Sequence, residues 1–116
     1  MKYLCPVYGE EKLMQTMDDN ECAANGEKIR KNGHHVAAEA LQPVDTATTV
    51  QVREGKVSVT DGPFAETKEQ LGGYYLIEAK DMDEAVEIAS KIPGGRFGCV
   101  EVRPVAEDEQ TKTLGF

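Results

Sequence analysis

The residues best suited to chemistry are two adjacent histidines, His34-His35, and the aspartate that opens the turn Asp61-Gly62-Pro63-Phe64. Histidine changes charge near neutral pH, which suits it to general acid or base work. An aspartate at the head of a turn ordinarily accepts from the backbone N–H two residues on. Here that residue is Pro63, which has no N–H to give. The Asp61 carboxylate must find the Phe64 N–H, a later N–H, water, or a group outside the turn. Two roles stay open for it: shaping the turn, or being held rigidly for function. His34 as acid or base, with Asp61 as orienting partner or co-acid, is the candidate catalytic pair. Glu39, Phe64, Glu66 and Tyr74 are the candidate ligand-binding residues. Each has a plainer role beside that one. Glu39 is also a solvated carboxylate flanked by alanines, and Glu66 belongs to a mixed run with Lys68 and Glu69. Phe64 is also an apolar anchor for its turn, and Tyr74 a core or interface aromatic.

Neighbours in an extended chain point to opposite faces, so His34 and His35 do not together ligate one metal, and no metal site is expected. By the same alternation Glu39 falls opposite His34 and with His35, unless a bulge near the strand start intervenes. No phosphate-binding loop, dinucleotide fingerprint or G-x-S-x-G elbow occurs, and no cofactor is expected. Gly72-Gly73 reads as close strand approach before it reads as a phosphate cradle. Arg96, beside a Gly-Gly pair, is a weak candidate anion clamp. The three cysteines, Cys5, Cys22 and Cys99, are odd in number and form no CxxC pair. They read as small buried hydrophobes of a reducing cytoplasm, with Cys22 nearest to a helix start.

The elements that position these groups are legible from periodicity. Residues 2–8 read as a strand, with Pro6 a discord that removes a ladder donor and calls for an open or bulged position. Residues 9–16 read as a loop. Asp18 with Glu21 resembles a capping box, opening a helix over 19–32 that Gly33 closes. Its apolar stripe is thin: Cys22, Ala23, Gly26 and Ile29. A strand is expected over 34–41, ended by Pro43. Residues 48–53 and 56–60 form a hairpin around Glu54-Gly55, which sets Val52 opposite Val57 and Val50 opposite Val59. The face bearing Thr49, Gln51, Ser58 and Thr60 is expected to be the wetter one. Pro63 is placed to open a short helical turn towards Glu69, folding Phe64 back on apolar surface. A strand follows over 73–79, then a helix capped by Asp81 and Glu84 with a stripe of Met82, Ala85, Val86, Ala89 and Ile92. The last strand spans 98–105.

Forty per cent hydrophobic and 29% charged residues in 116 are ordinary for a soluble globular chain. Residues 1–105 read as a single domain and 106–116 as an acidic polar tail. A net charge of −8 argues against nucleic acid, whose phosphates need clustered Lys and Arg. No apolar run approaches a membrane span, and no signal peptide is read at the start, so no membrane partner and a cytoplasmic location are expected.

The run Asp61-Gly62-Pro63-Phe64-Ala65-Glu66-Thr67-Lys68-Glu69-Gln70-Leu71-Gly72-Gly73 resembles the signature of YCII-related proteins of the DGPF type. The similarity extends through Gly33-His34, Glu39-Ala40-Leu41-Gln42-Pro43, Thr46–Val50, Ile92-Pro93 and Val100–Val105. It implies an α+β, ferredoxin-like fold of the dimeric α+β barrel superfamily: βαββαβ with the extra hairpin, two helices on one sheet face and a homodimer through the other. His34 is the position that matches the family pattern. The first helix is shorter and less apolar than the resemblance implies, and an apolar residue is implied where Pro6 stands. The biochemical role is left open between classes. One is a small-molecule binding protein, with or without acid–base processing, whose cleft lies near the dimer interface. The other is a non-catalytic regulatory or protein-interaction module, for example beside an extracytoplasmic-function sigma factor.

Overall fold

A computed structural model describes residues 1–107 and 114–115. The acidic tail expected at 106–116 therefore lies mostly outside the described residues. The chain forms β1 (Lys2–Gly9), α1 (Glu11–Met14), α2 (Asp19–Lys31), β2 (His35–Ala40), β3 (Thr48–Arg53), β4 (Lys56–Asp61), β5 (Gln70–Glu78), α3 (Met82–Ser90), β6 (Gly98–Val100) and β7 (Arg103–Pro104). The main sheet runs β2-β5-β1-β6, with β7 also on β1, and all its pairs are antiparallel. Omitting the separate β3–β4 sheet, this is the ferredoxin-like βαββαβ order expected from the sequence.

The core lies on one face of this sheet. Tyr3, Cys5 and Val7 alternate along β1 and meet Ile77 of β5, Ile29 of α2, and Ala85 and Ala89 of α3, all buried. That alternation is the period-2 signature of a strand with one covered face. On the other face an exposed Leu4 pairs with a half-buried Leu76, and a buried Pro6 with a half-buried Tyr74.

Pro6 shapes the sheet as its chemistry requires. It accepts at its carbonyl from Glu101 N–H at 3.0 Å, but has no N–H to return. Val7↔Val100 and Leu4↔Arg103 share one register, and the stretch read as a single last strand is interrupted between them, opposite Pro6, into β6 and β7.

The thin stripe of α2 buries only Ile29. Asp18 caps it through Asn20 N–H at 2.9 Å, but Glu21 does not return the bond. Glu21 instead accepts from Arg96 at 2.7 Å, tying the helix start to the turn at Pro93–Phe97. The α3 box forms, with Asp81 accepting from Glu84 N–H and Glu84 from Lys80 N–H. Its stripe is narrower than read: Met82 and Val86 are exposed.

The hairpin has the expected register, Val50↔Val59 and Val52↔Val57. Positive φ at Glu54 (53°) and Gly55 (77°) makes the tight turn whose twist suits flanking strands. The apolar face is no drier than the other. The four valines are 60–67% exposed, while on the other face Thr49 and Gln51 are half-buried and Ser58 and Thr60 are exposed too. The hairpin makes a sheet of its own, and nothing else among the described residues covers its apolar side. A radius of gyration of 16.0 Å, against about 13 Å for a compact chain of this length, reflects the same open shape.

Candidate functional site

The residues proposed from sequence do not converge in one chain. His34 sits just before β2; its carbonyl accepts from Glu78 N–H, and its Nδ1 lies 2.8 Å from the Glu78 carbonyl, which receives the proton. Asp61 ends β4 opposite Thr48. The neighbouring Pro63 shares a groove with Leu41, Gln70 and Leu71, at the far end of β5. Six residues of strand separate Gly72, beside Leu41, from Glu78, beside His34, or about 20 Å. None of the described residues donates to the Asp61 carboxylate, which is exposed.

Phe64 does not fold back: it is 76% exposed. The expected helical turn after Pro63 is absent, because side chains close this segment as a loop. Gln70 Nε2 donates to the carbonyls of Ala65 (3.0 Å) and Thr67 (2.9 Å), and Thr67 Oγ1 to that of Glu69 (2.6 Å). Glu66 stands exposed on this loop. Gly62, at φ 102°, donates to the Ala47 carbonyl and accepts from Thr49 Oγ1, both at 2.7 Å, so the loop base is fixed.

Glu39 and Tyr74 are brought together. A register shift between His35 and Ala37, the bulge that sequence left open, sets Glu39 opposite Tyr74. Their side chains alternate with Ala38 and Tyr75 onto the open sheet face, so both border only through their strand backbone a cavity of about 190 Å³ between the sheet and the α1–α2 segment. Val7, Ala38, Gly73 and Tyr75 supply its sheet side, and Ile92 and Gly94 its far wall. Met14 of α1, Met17 of the turn that follows it and Cys22 of α2 supply the opposite side. The stretch read as loop forms this wall because two glycines admit it. A Cβ at Gly72 would overlap the Met14 methyl, and one at Gly9 would meet its sulfur at 2.5 Å. Gly73 serves close strand approach, since its Cβ would come within 2.8 Å of the Glu39 carbonyl.

Two lining groups, Tyr75 and Cys22, are held in their neutral forms. Burial pushes the Tyr75 hydroxyl up, with a smaller push from Cys22. The Asn25 amide approaches that hydroxyl closely enough to oppose the rise, yet without hydrogen-bond geometry, and its buried nitrogen has no partner among the described residues. Burial also raises the Cys22 thiol, reinforced by Asp19, Glu21 and Asp18. Cys5 is buried in the core and pushed up to about 11. Cys99, expected inside, is exposed because it aligns with Tyr8 beyond the covered face. Arg96, the candidate anion clamp, is occupied by Glu21. Among the described residues no cluster of three or more His, Cys, Asp or Glu side chains could hold a metal, and no helix is long and apolar enough to cross a membrane.

Met14, Met17 and Tyr75 were not singled out from sequence as site residues. The available signal was the pair of methionines three apart, in a stretch that hydrophobic periodicity leaves without an element.

Comparison with known proteins places this geometry. The chain is similar to an uncharacterized protein of Rhizobium meliloti (strain 1021), 46% identical over 68 residues, 57% of this chain and 55% of that one. The match thus spans just over half of that relative. In structure it is similar to 5-chloro-2-hydroxyhydroquinone dehydrochlorinase from Burkholderia phenoliruptrix AC1100, solved with 2,5-dihydroxybenzoquinone, at TM-score 0.53 and 18% identity over 95% of this chain and 98% of that one. That likeness is one of fold. A sequence model of the YCII-related domain matches residues 1–108, nearly the whole chain, and the protein belongs to that family.

Proposed function

We propose that this protein binds a small organic molecule in the cavity between its sheet and the α1–α2 segment, and that it does so as a homodimer in the cytoplasm. The observation that carries the reading is the cavity itself. It is concave, almost wholly apolar in lining, and faced by flexible thioethers that adapt to a guest. A fold-level relative solved with a small cyclic ligand is consistent with it. The homodimer rests on a separate observation. Among the described residues the valine face of the hairpin stands open, and Leu4, Tyr74 and Leu76 are left exposed or half-exposed on the other face of the main sheet. A lone two-stranded hairpin is marginal in water, and a second copy is the economical cover.

Acid–base processing by His34 and Asp61 belongs to this proposal only across two copies, because about 20 Å of strand separates them in one. Glu39 and Tyr74 flank the cavity through their strand backbone, and their side chains, with those of Phe64 and Glu66, are proposed to meet the partner copy and any ligand held at the interface.

The test is NMR of methionine methyl groups during titration with a set of small organic fragments. Saturable shifts at Met14 and Met17, with Met1 and Met82 unmoved, are expected. Ala38→Leu should fill the cavity and abolish them while leaving the fold's amide spectrum dispersed. If no fragment moves Met14 or Met17, the cavity is not the site.

A further inference from the structure

We infer that the cavity selects uncharged monocyclic aromatic molecules and rejects organic anions and cations of the same size. This rests on the reading of the cavity as the binding site and deepens it to a ligand class.

Size comes first. A dry engineered cavity of about 150 Å³ takes a benzene ring, so about 190 Å³, open on one side, has room for a ring with one short substituent. Shape chemistry agrees: the guest would lie between the Met14 and Met17 thioethers on one side and the Tyr75 ring on the other. Sulfur–aromatic contacts are favourable at ring edges, and an aromatic ring fills such a slot at low cost in conformational freedom.

Charge decides the rest. None of the lining residues is Lys, Arg or His, and Glu39 is the single ionisable carboxyl among them. Around Cys22 the nearby acids are Asp18, Asp19 and Glu21, and the nearby cation, Arg96, is already bound by Glu21 at 2.7 Å. An anion would give up its hydration for a site without a counter-charge and inside a negative field, which is strongly unfavourable. The same field attracts a cation, but from exposed acids outside the lining it offsets only part of the hydration the cation gives up. Apart from Glu39 on the opposite sheet face, the side-chain polar groups of the lining are neutral hydroxyls, a thiol and thioethers, and none of these replaces the water lost. A neutral hydroxyl or carbonyl on the ring is met by the Tyr75 hydroxyl without either penalty. Dihydroxyquinones of the kind bound by the fold-level relative are vinylogous acids, ionised at neutral pH. They belong to the class this cavity turns away.

The experiment uses three near-isosteres at pH 7: benzyl alcohol, benzoate and benzylammonium, each titrated into the full chain with the Met14 and Met17 methyls as readout. Benzyl alcohol should give saturable shifts, and both ions should bind at least about tenfold more weakly. Either ion matching or exceeding the alcohol at those methyls would overturn the selectivity while leaving the cavity as the site. Silence at those methyls with all three probes, when other fragments do move them, would overturn the aromatic class alone.

Discussion

The β1–β5 ladder and the β3–β4 hairpin are both antiparallel pairs built from β-branched and aromatic residues, and they end in opposite surroundings. Cys5 and Tyr75 face each other beneath two helices, as do Tyr3 and Ile77, and Tyr3, Cys5 and Ile77 are buried to within 1%. Val50, Val52, Val57 and Val59 pair in equally regular register and stand at least 60% exposed. Strand pairing therefore follows from local alternation and turn chemistry in both places. What covers the strands does not. In the first pair the cover is written in the same chain, at helical spacing. In the second it has to come from elsewhere.

Truncation should separate the two regions most sharply in the body. Ile77→Ala leaves a void in a core that cannot close over it and should cost about 3 to 4 kcal/mol in urea unfolding. A cost under about 1 kcal/mol would mean the covered face is far looser than drawn.

The buried thiol gives a second difference, in pH. Burial raises Cys5 from 9.0 to about 11, so the folded state holds its proton longer than the unfolded state. Its contribution is whole below about pH 9 and is lost as pH rises towards 11, on the order of 2 to 3 kcal/mol. The stability gap between wild type and Cys5→Ala should shrink by that amount across this window. A constant gap would contradict the burial.

On the hairpin the effect should appear in association and leave folding alone. Val57→Asp should preserve the circular dichroism spectrum and raise the dimer dissociation constant at least about tenfold in sedimentation equilibrium. An unchanged constant would remove the hairpin from the interface, and a wild-type monomer at micromolar concentration would remove the homodimer.

How much was legible divides along the same line. The helix caps at Asp18 and Asp81, the Glu54-Gly55 turn and the valine register are local chemistry and could be read residue by residue. The break opposite Pro6 was half legible: the missing donor is visible in sequence, its position against Glu101 is not. The cavity was not legible, because Met14 reaches it only through the space left by Gly9 and Gly72, sixty-odd residues apart. Phe64 was misread because proline's fitness to start a helix lost to the side-chain bonds of Gln70 and Thr67. His34 and Asp61 were matched by chemical type, and nothing in their spacing reveals that β2 and β5 hold them apart.

The smallest expected effect is at Asp61. With no donor among the described residues on its carboxylate, Asp61→Asn should change stability by less than about 0.5 kcal/mol. Amide shift changes should stay at the hairpin base and not reach His34. A response at His34 would show that a second copy brings the two groups together.

A crystal structure grown with benzyl alcohol tests the central claim most directly. The ring should lie between the Met14 and Met17 thioethers and Tyr75, inside the body. A ring on the open sheet face, beside Leu4, Tyr74 or Leu76, with the cavity vacant or closed by Met14, would contradict the account.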